Sequence, residues 1–238
     1  MKLSRRQAIH VSCTTLAGLS LGRRPTELHA RPRQSVQAGP DALVDTVVRN
    51  IAPLPLLPDG SAPEHSSAEA GPISEPTLWR YTGGEPPAID FDYRNLKVKV
   101  DGRRTAKRTG TLRFADLEAL PEHSQITLLQ CGAPNPRGVV KWTGVRFADL
   151  ADLLEVQPFA HYCRIVASDG YWIEEGIETM RHPQVMLAWK LNDEPLPPKH
   201  GAPLRLVMPF RYGARSLKAV QEIYFTATSF PLPALPAD

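Results

Sequence analysis

An apolar, β-branched run, Ile126-Thr127-Leu128-Leu129, stops at a cysteine followed at once by glycine and two closely spaced prolines. Such a run predicts a buried strand. The continuation Gln130-Cys-Gly-Ala-Pro-Asn-Pro-Arg-Gly-Val-Val-Lys-Trp142 predicts a loop, because proline and glycine suit a non-repetitive backbone better than a continuing sheet. Cys131 is therefore expected where a strand hands its last residue to a rigid loop, presented rather than packed away.

A second stretch complements it. Lys199 to Lys218 carries Lys199, Arg205, Arg211, Arg215 and Lys218, with His200 besides, and no acidic residue. The alternation Leu204-Arg205-Leu206-Val207 sets Arg205 apart from the core face, and glycine and serine interleave with the later charges, leaving room for backbone and hydroxyl donors. Taken alone, this stretch also fits a solvated surface hairpin. A soft thiolate on one loop and an anion-binding segment elsewhere are what a metal cofactor with a phosphate tail requires.

The order of these pieces resembles the sulfite-oxidase-fold molybdopterin oxidoreductases: a lone loop cysteine, then Trp142-Thr143-Gly144-Val145, Ser168-Asp169-Gly170-Tyr171, His200-Gly201-x-Pro203-Leu204-Arg205, and Gly213-x-Arg215-Ser216-x-Lys218. The resemblance implies Cys131 as the molybdenum ligand, with Asp169, His200, Arg205, Arg215, Ser216 and Lys218 holding the pyranopterin and its phosphate. It implies one molybdenum-molybdopterin per chain and oxygen-atom transfer to or from a small substrate. Upstream, Leu78-Trp79-Arg80-Tyr81-Thr82 occupies the place of an Arg-Asn-His-like element, so Arg80 is expected to face the metal and Thr82 to stand where the family has histidine. The loop after Cys131 lacks the paired arginines of animal and plant sulfite oxidases. The architecture is closer to bacterial periplasmic catalytic subunits that work with a membrane haem protein, so a membrane haem subunit or c-type cytochrome is the implied electron partner, and the chain is expected to be a monomer.

The flanks carry their own information. Residues 1–38 hold seven of the 28 lysines and arginines and one of the 25 acids, leaving 21 basic against 24 acidic residues. The net positive charge thus belongs to the leader, and the remainder asks for no nucleic acid. Ser4-Arg5-Arg6-Gln7-Ala8-Ile9 resembles a twin-arginine export signal, and the apolar run to Leu21 is too short and polar to span a membrane. A periplasmic protein, exported already folded, is expected. Residues 39–77 form a proline-rich extension, with a short helix at Asp41–Asn50 and a flexible surface excursion at Pro58–Pro76. Residues 78–238 form the molybdopterin-binding domain, predicted as α+β: mixed twisted β-sheets with short helices at Phe114–Leu120 and Phe147–Leu154. Strands are expected at Leu96–Val100, Tyr162–Ser168, Tyr171–Ile173, Val185–Leu191, Leu204–Met208 and Val220–Thr226. Cys163 sits in one of these and is expected to be buried. Two alternatives stand beside the main reading: a cofactor-free envelope binding protein on the same fold, and a thiol or disulfide module using Cys131, including a Cys131–Cys163 bridge.

Overall fold

The computed structural model describes residues 51–76, 79, 82–132 and 135–229. The leader, the Asp41–Asn50 helix and Arg80 lie outside the described residues. Among the described residues, ten strands form two five-stranded sheets. The first has the order β2 (Gly110–Arg113), β1 (Lys97–Asp101), β10 (Val220–Thr226), β5 (Tyr162–Ala167), β6 (Trp172–Gly176). The second runs β3 (His123–Gln130), β4 (Arg137–Arg146), β7 (Met186–Leu191), β8 (Glu194–Pro195), with β9 (Arg205–Val207) also on β7. Among the described residues, only β1 and β10 pair in parallel. Three short helices, α1 (Phe114–Glu118), α2 (Phe147–Leu153) and α3 (Ile177–Met180), complete an α+β fold of the kind expected.

The middle of the second sheet explains how the site is held. β7 reads Met-Leu-Ala-Trp-Lys-Leu and is buried on both faces, so its alternation feeds two cores. Leu187 and Trp189 join the main cluster with Ile165, Ile223, Phe225, Phe147, Leu204 and Leu206. Met186 and Ala188 join a second cluster with Leu129, Val140, Trp142 and Val207. Gly144 makes the close packing of β4 on β7 achievable: a Cβ there would lie 1.9 Å from the Leu187 carbonyl oxygen, at a register shift between Thr143 and Gly144. The β7–β8 turn uses Asn192 and Asp193, both at positive φ, as a two-residue hairpin requires.

Two expectations change. The stretch after Cys131 is a loop only to Pro136. From Arg137 the chain turns back as β4, with Gln130 paired to Arg137 and the register running to His123 with Gly144. Pro136 falls just before the strand, and the β-branched Gly138-Val-Val-Lys-Trp142 behind it satisfies the strand. The Pro58–Pro76 segment, expected as a flexible excursion, is instead bonded to the second sheet. His65 N donates to Ile126 O at 2.9 Å and Gly71 N to Val139 O at 3.1 Å. Ala62 N donates to Gln184 Oε1 at 2.9 Å while Gln184 Nε2 returns a bond to Ala62 O at 2.7 Å. Backbone groups that lack a regular partner of their own find one on the sheet.

Candidate functional site

The β3–β4 turn, the β5–β6 turn, and the segment from β9 to β10 converge on one cleft. Its lining includes Cys131, Asn135, Asp169, Tyr171, Arg205, Ser216 and Lys218, with Trp79, Leu129 and Leu217 as apolar walls. Cys131 is half-buried and free, and its amide donates to Pro136 O at 3.1 Å, which closes the turn behind it. Cys163 is free and buried on β5 in the main core, where burial pushes its thiol well up. The two cysteines are not bridged. The disulfide alternative is thereby corrected: Cys163 packs as an apolar residue, while Cys131 opens on the cleft.

Arg205 is the most constrained charge here. Strand alternation sends Leu206 into the main core and Arg205 to the opposite face, as its neighbours predicted, yet the guanidinium is only 4% exposed. Nη1 donates to His200 O at 2.7 Å, and the guanidinium carbon lies 5.1 Å over the Trp142 ring. Nε is buried without a hydrogen-bond partner among the described residues. Burial pulls its pKa down to about 10, while the nearby Cys131 pulls it back. Lys218 reaches the same space with Nζ 4.0 Å from the centre of the Trp79 ring. Its pKa falls to about 8, first from burial and then from Arg205, opposed by Asp169 and Cys131. His200 is buried, with Nδ1 unpartnered among the described residues. Burial, with Arg205 and Lys218, lowers it to about 4, so beside these cations it is a neutral imidazole and not a sixth cation.

Gly201 makes this convergence achievable. Its φ is +109°, and a Cβ would lie 2.8 Å from Lys218 Cβ. Ala219 N donates to Gly201 O at 2.9 Å, so the two ends of the basic segment are laid side by side. Ser216 Oγ accepts from Met208 N at 3.0 Å, and Asp169 Oδ1 accepts from Tyr171 N at 3.0 Å. Each of these side chains is fixed by one bond and faces the cleft.

The basic segment therefore divides. Arg205, Lys218, Ser216 and His200 turn inward, with Asp169 opposite. Lys199 pairs with Glu75 at 3.1 Å on the surface, and Arg211 is exposed. Arg215 departs from its expected role: its Nε donates to Glu175 Oε1 at 2.8 Å and its Nη2 to Glu174 O at 2.7 Å, away from the cleft lining. Two nearby carboxylate-bearing residues on β6, far off in sequence, captured it. Thr82 also departs, because its hydroxyl donates to Glu85 O within its own turn. Trp79, Asn135 and Tyr171 line the cleft without having been singled out as site residues. Trp79 adjoins Arg80 in the upstream element, and Tyr171 closes the Ser-Asp-Gly-Tyr motif, so their neighbours were the available signal.

This donor set fits a phosphate-bearing metal cofactor. A soft thiol, two desolvated cations and an orphaned guanidinium nitrogen share one cleft, and an anion supplies what the last of these lacks. Comparison with known proteins points the same way. A family model described as oxidoreductase molybdopterin binding domain matches residues 84–233. The uncharacterized oxidoreductase YuiH of Bacillus subtilis is 32% identical over 153 residues, covering 63% of this chain and 74% of that protein. The protein-methionine-sulfoxide reductase catalytic subunit MsrP of Campylobacter jejuni is 27% identical over 156 residues, covering 58% of this chain and 52% of that protein. The crystal structure of the sulfane dehydrogenase SoxCD from Paracoccus pantotrophus superposes with a TM-score of 0.53 at 21% identity, over 59% of this chain and 40% of that one. That likeness establishes the fold. The aligned part of the chain spans between half and three quarters of these two curated relatives.

Proposed function

The chain belongs to the oxidoreductase molybdopterin-binding domain family, and on that premise we propose that it transfers an oxygen atom to or from a small sulfite- or sulfoxide-like substrate and exchanges electrons with a haem protein. The observation that carries this reading is the meeting of the Cys131 thiol with the buried, incompletely partnered Arg205 in one cleft. The likeness to a protein-methionine-sulfoxide reductase subunit supports the sulfoxide side of the substrate class.

In this reading Cys131 would hold the molybdenum through its thiolate, a soft and electron-rich donor. When bound, the molybdopterin supplies two-electron oxygen-atom exchange, which no side chain of the protein can perform. Arg205 and Lys218 neutralise the phosphate, each held over a tryptophan ring that keeps its charge aimed inward. Ser216 and Asp169 would hold polar groups of the pterin, and His200 would offer its unpartnered Nδ1 as a neutral group. Leu129, Leu217 and Trp79 exclude water, which strengthens every charged contact in the cleft. The family resemblance alone assigns Arg80 a role on the reacting side. Ser4-Arg5-Arg6 directs the folded, loaded protein to the periplasm.

Metal analysis of the purified protein is the direct test. Roughly one molybdenum per chain is expected, lost with chelation-resistant pterin only on unfolding. A protein that stays metal-free under conditions that load a relative would instead support the cofactor-free binding protein. Cys131→Ser should abolish oxygen-atom transfer with the fold intact, and full activity in that variant would remove the ligand from the scheme. Replacing Arg5 and Arg6 by lysine should leave loaded protein in the cytoplasm, whereas unchanged periplasmic recovery would mean another route.

A further inference from the structure

We infer that Arg215 is a positioning residue: through Glu175 and the Glu174 carbonyl it pins the Gly213–Arg215 turn against the Cys131 loop, and so fixes the distance between the thiol and the Ser216–Lys218 end of the cleft.

The geometry is specific. Arg215 is a three-point tie, with Nε on Glu175 Oε1 at 2.8 Å, Nη2 on the same oxygen, and Nη2 on Glu174 O at 2.7 Å. Its partner carboxylate is only 13% exposed while the Arg215 side chain is 37% exposed, so the tie is anchored at its buried carboxylate end and reaches solvent at the other. The anchor is itself held, because Glu174 forms a buried ion pair with Arg164 across β5 and β6 at 3.0 Å. A second tie runs parallel to the first: Tyr171 Oη donates to Ala214 O at 3.1 Å. The turn these bonds hold is a wall of the site. A Cβ on Gly213 would lie 3.4 Å from Cys131 Cα and 3.5 Å from Gln130 O, so the turn packs directly on the thiol's own backbone. Its far end passes without a break into Ser216 and Lys218, with Ser216 N donating to Gly213 O at 3.1 Å. A turn this short has no slack, and a shift at Arg215 moves both ends.

The consequence for the cofactor rests on the function proposed above, but the geometry does not. The decisive reagent is iodoacetamide applied to the full, metal-free chain, with alkylation of Cys131 and Cys163 followed separately by peptide mass spectrometry. Arg215→Gln and Glu175→Gln should each raise the Cys131 rate by about fivefold or more, as loss of one charged tie opens a local equilibrium. Cys163, buried in the main core, should not change; a fold merely loosened throughout would expose both. Both single variants should also lose molybdopterin to a similar degree, and Arg215→Glu with Glu175→Arg together should restore both readouts. If Glu175→Gln keeps the wild-type alkylation rate and cofactor content while Arg215→Gln loses cofactor, Arg215 touches the phosphate itself and the inference is overturned. Should Arg215→Gln fail to fold, Glu175→Gln still decides. Should the wild-type chain take up no molybdopterin, the function above fails, and the alkylation rates still decide the tie.

Discussion

Two arginines are buried in this protein to nearly the same depth, and their surroundings differ in kind. Arg164, 6% exposed, has Glu174 beside it on the neighbouring strand, with Nε and Nη2 at 3.2 and 3.0 Å from Oε2, and the Trp172 ring 4.3 Å from its guanidinium carbon. Arg205, 4% exposed, also has a tryptophan ring and one carbonyl, but no carboxylate among the described residues and an orphaned Nε. Burying a charge costs several kcal/mol unless a counter-charge answers it. The first arginine is answered within the fold. The second is answered only when an anion arrives, and it lies beside Cys131 in the one place where the family reading puts a phosphate-bearing cofactor.

The largest effects should come from the answered pair. Arg164→Ala leaves Glu174 buried without its partner and should lower stability by about 3–5 kcal/mol in chemical denaturation of the metal-free protein. Arg205→Met should do the opposite, leaving that stability unchanged or raising it by roughly 1–3 kcal/mol, because an unanswered charge is removed from a dry site. Equal losses in the two variants would erase the distinction between them. Cofactor retention should reverse the order. Arg205→Ala or Lys218→Ala should cost about tenfold to a hundredfold in molybdopterin content, at about 1.4 kcal/mol per tenfold, while Lys190→Ala, half-buried and outside the cleft lining, should cost little. Gly201→Ala should follow at about 1–3 kcal/mol of stability, since it forces a side chain into positive φ against Lys218.

The smallest effect is a pH dependence, and its sign is fixed. Lys218 titrates near 8 in the folded metal-free protein, below its ordinary 10.5. Between those values the unfolded chain binds a proton that the folded chain does not, so stability rises with pH across that window. The rise should appear as a difference between wild type and Lys218→Met. It should shrink when the cleft holds an anion, because a bound phosphate favours the charged amine. An identical pH profile in both proteins would show that Lys218 is solvated.

Much of the fold was legible where periodicity and burial agree. Val220–Thr226 runs as expected, and the other anticipated strands and the helices expected at Phe114–Leu120 and Phe147–Leu154 shift only at their ends. Three strands escaped notice: β2 buries only Leu112 among polar neighbours, β4 has a strand-like run but starts directly behind two prolines, and β8 is only two residues long. At the cleft, Cys131, Asp169, Arg205, Ser216 and Lys218 share one lining, since short turns carry them, and His200 lies behind it, near enough to feel Arg205 and Lys218. Arg215 could not have been separated from its neighbours by sequence, because Glu175 lies forty positions earlier and only the β6 pairing brings it near. The same holds for Trp79, whose ring matters only once Lys218 lies over it.

The segment ahead of residue 77 has a further consequence, for solubility. β3 is the last strand of the second sheet, and β4 outruns β7, which pairs with it only from Trp142 onward. Both strands would therefore show open backbone groups to solvent, the surface on which sheets of separate molecules join and aggregate. His65 N caps the first at Ile126 O, and Gly71 N caps the second at Val139 O, with Asn192 Nδ2 holding Gly71 O at 2.8 Å. A shortened chain beginning at residue 77 would retain every charged group of the cleft and still self-associate, edge to edge.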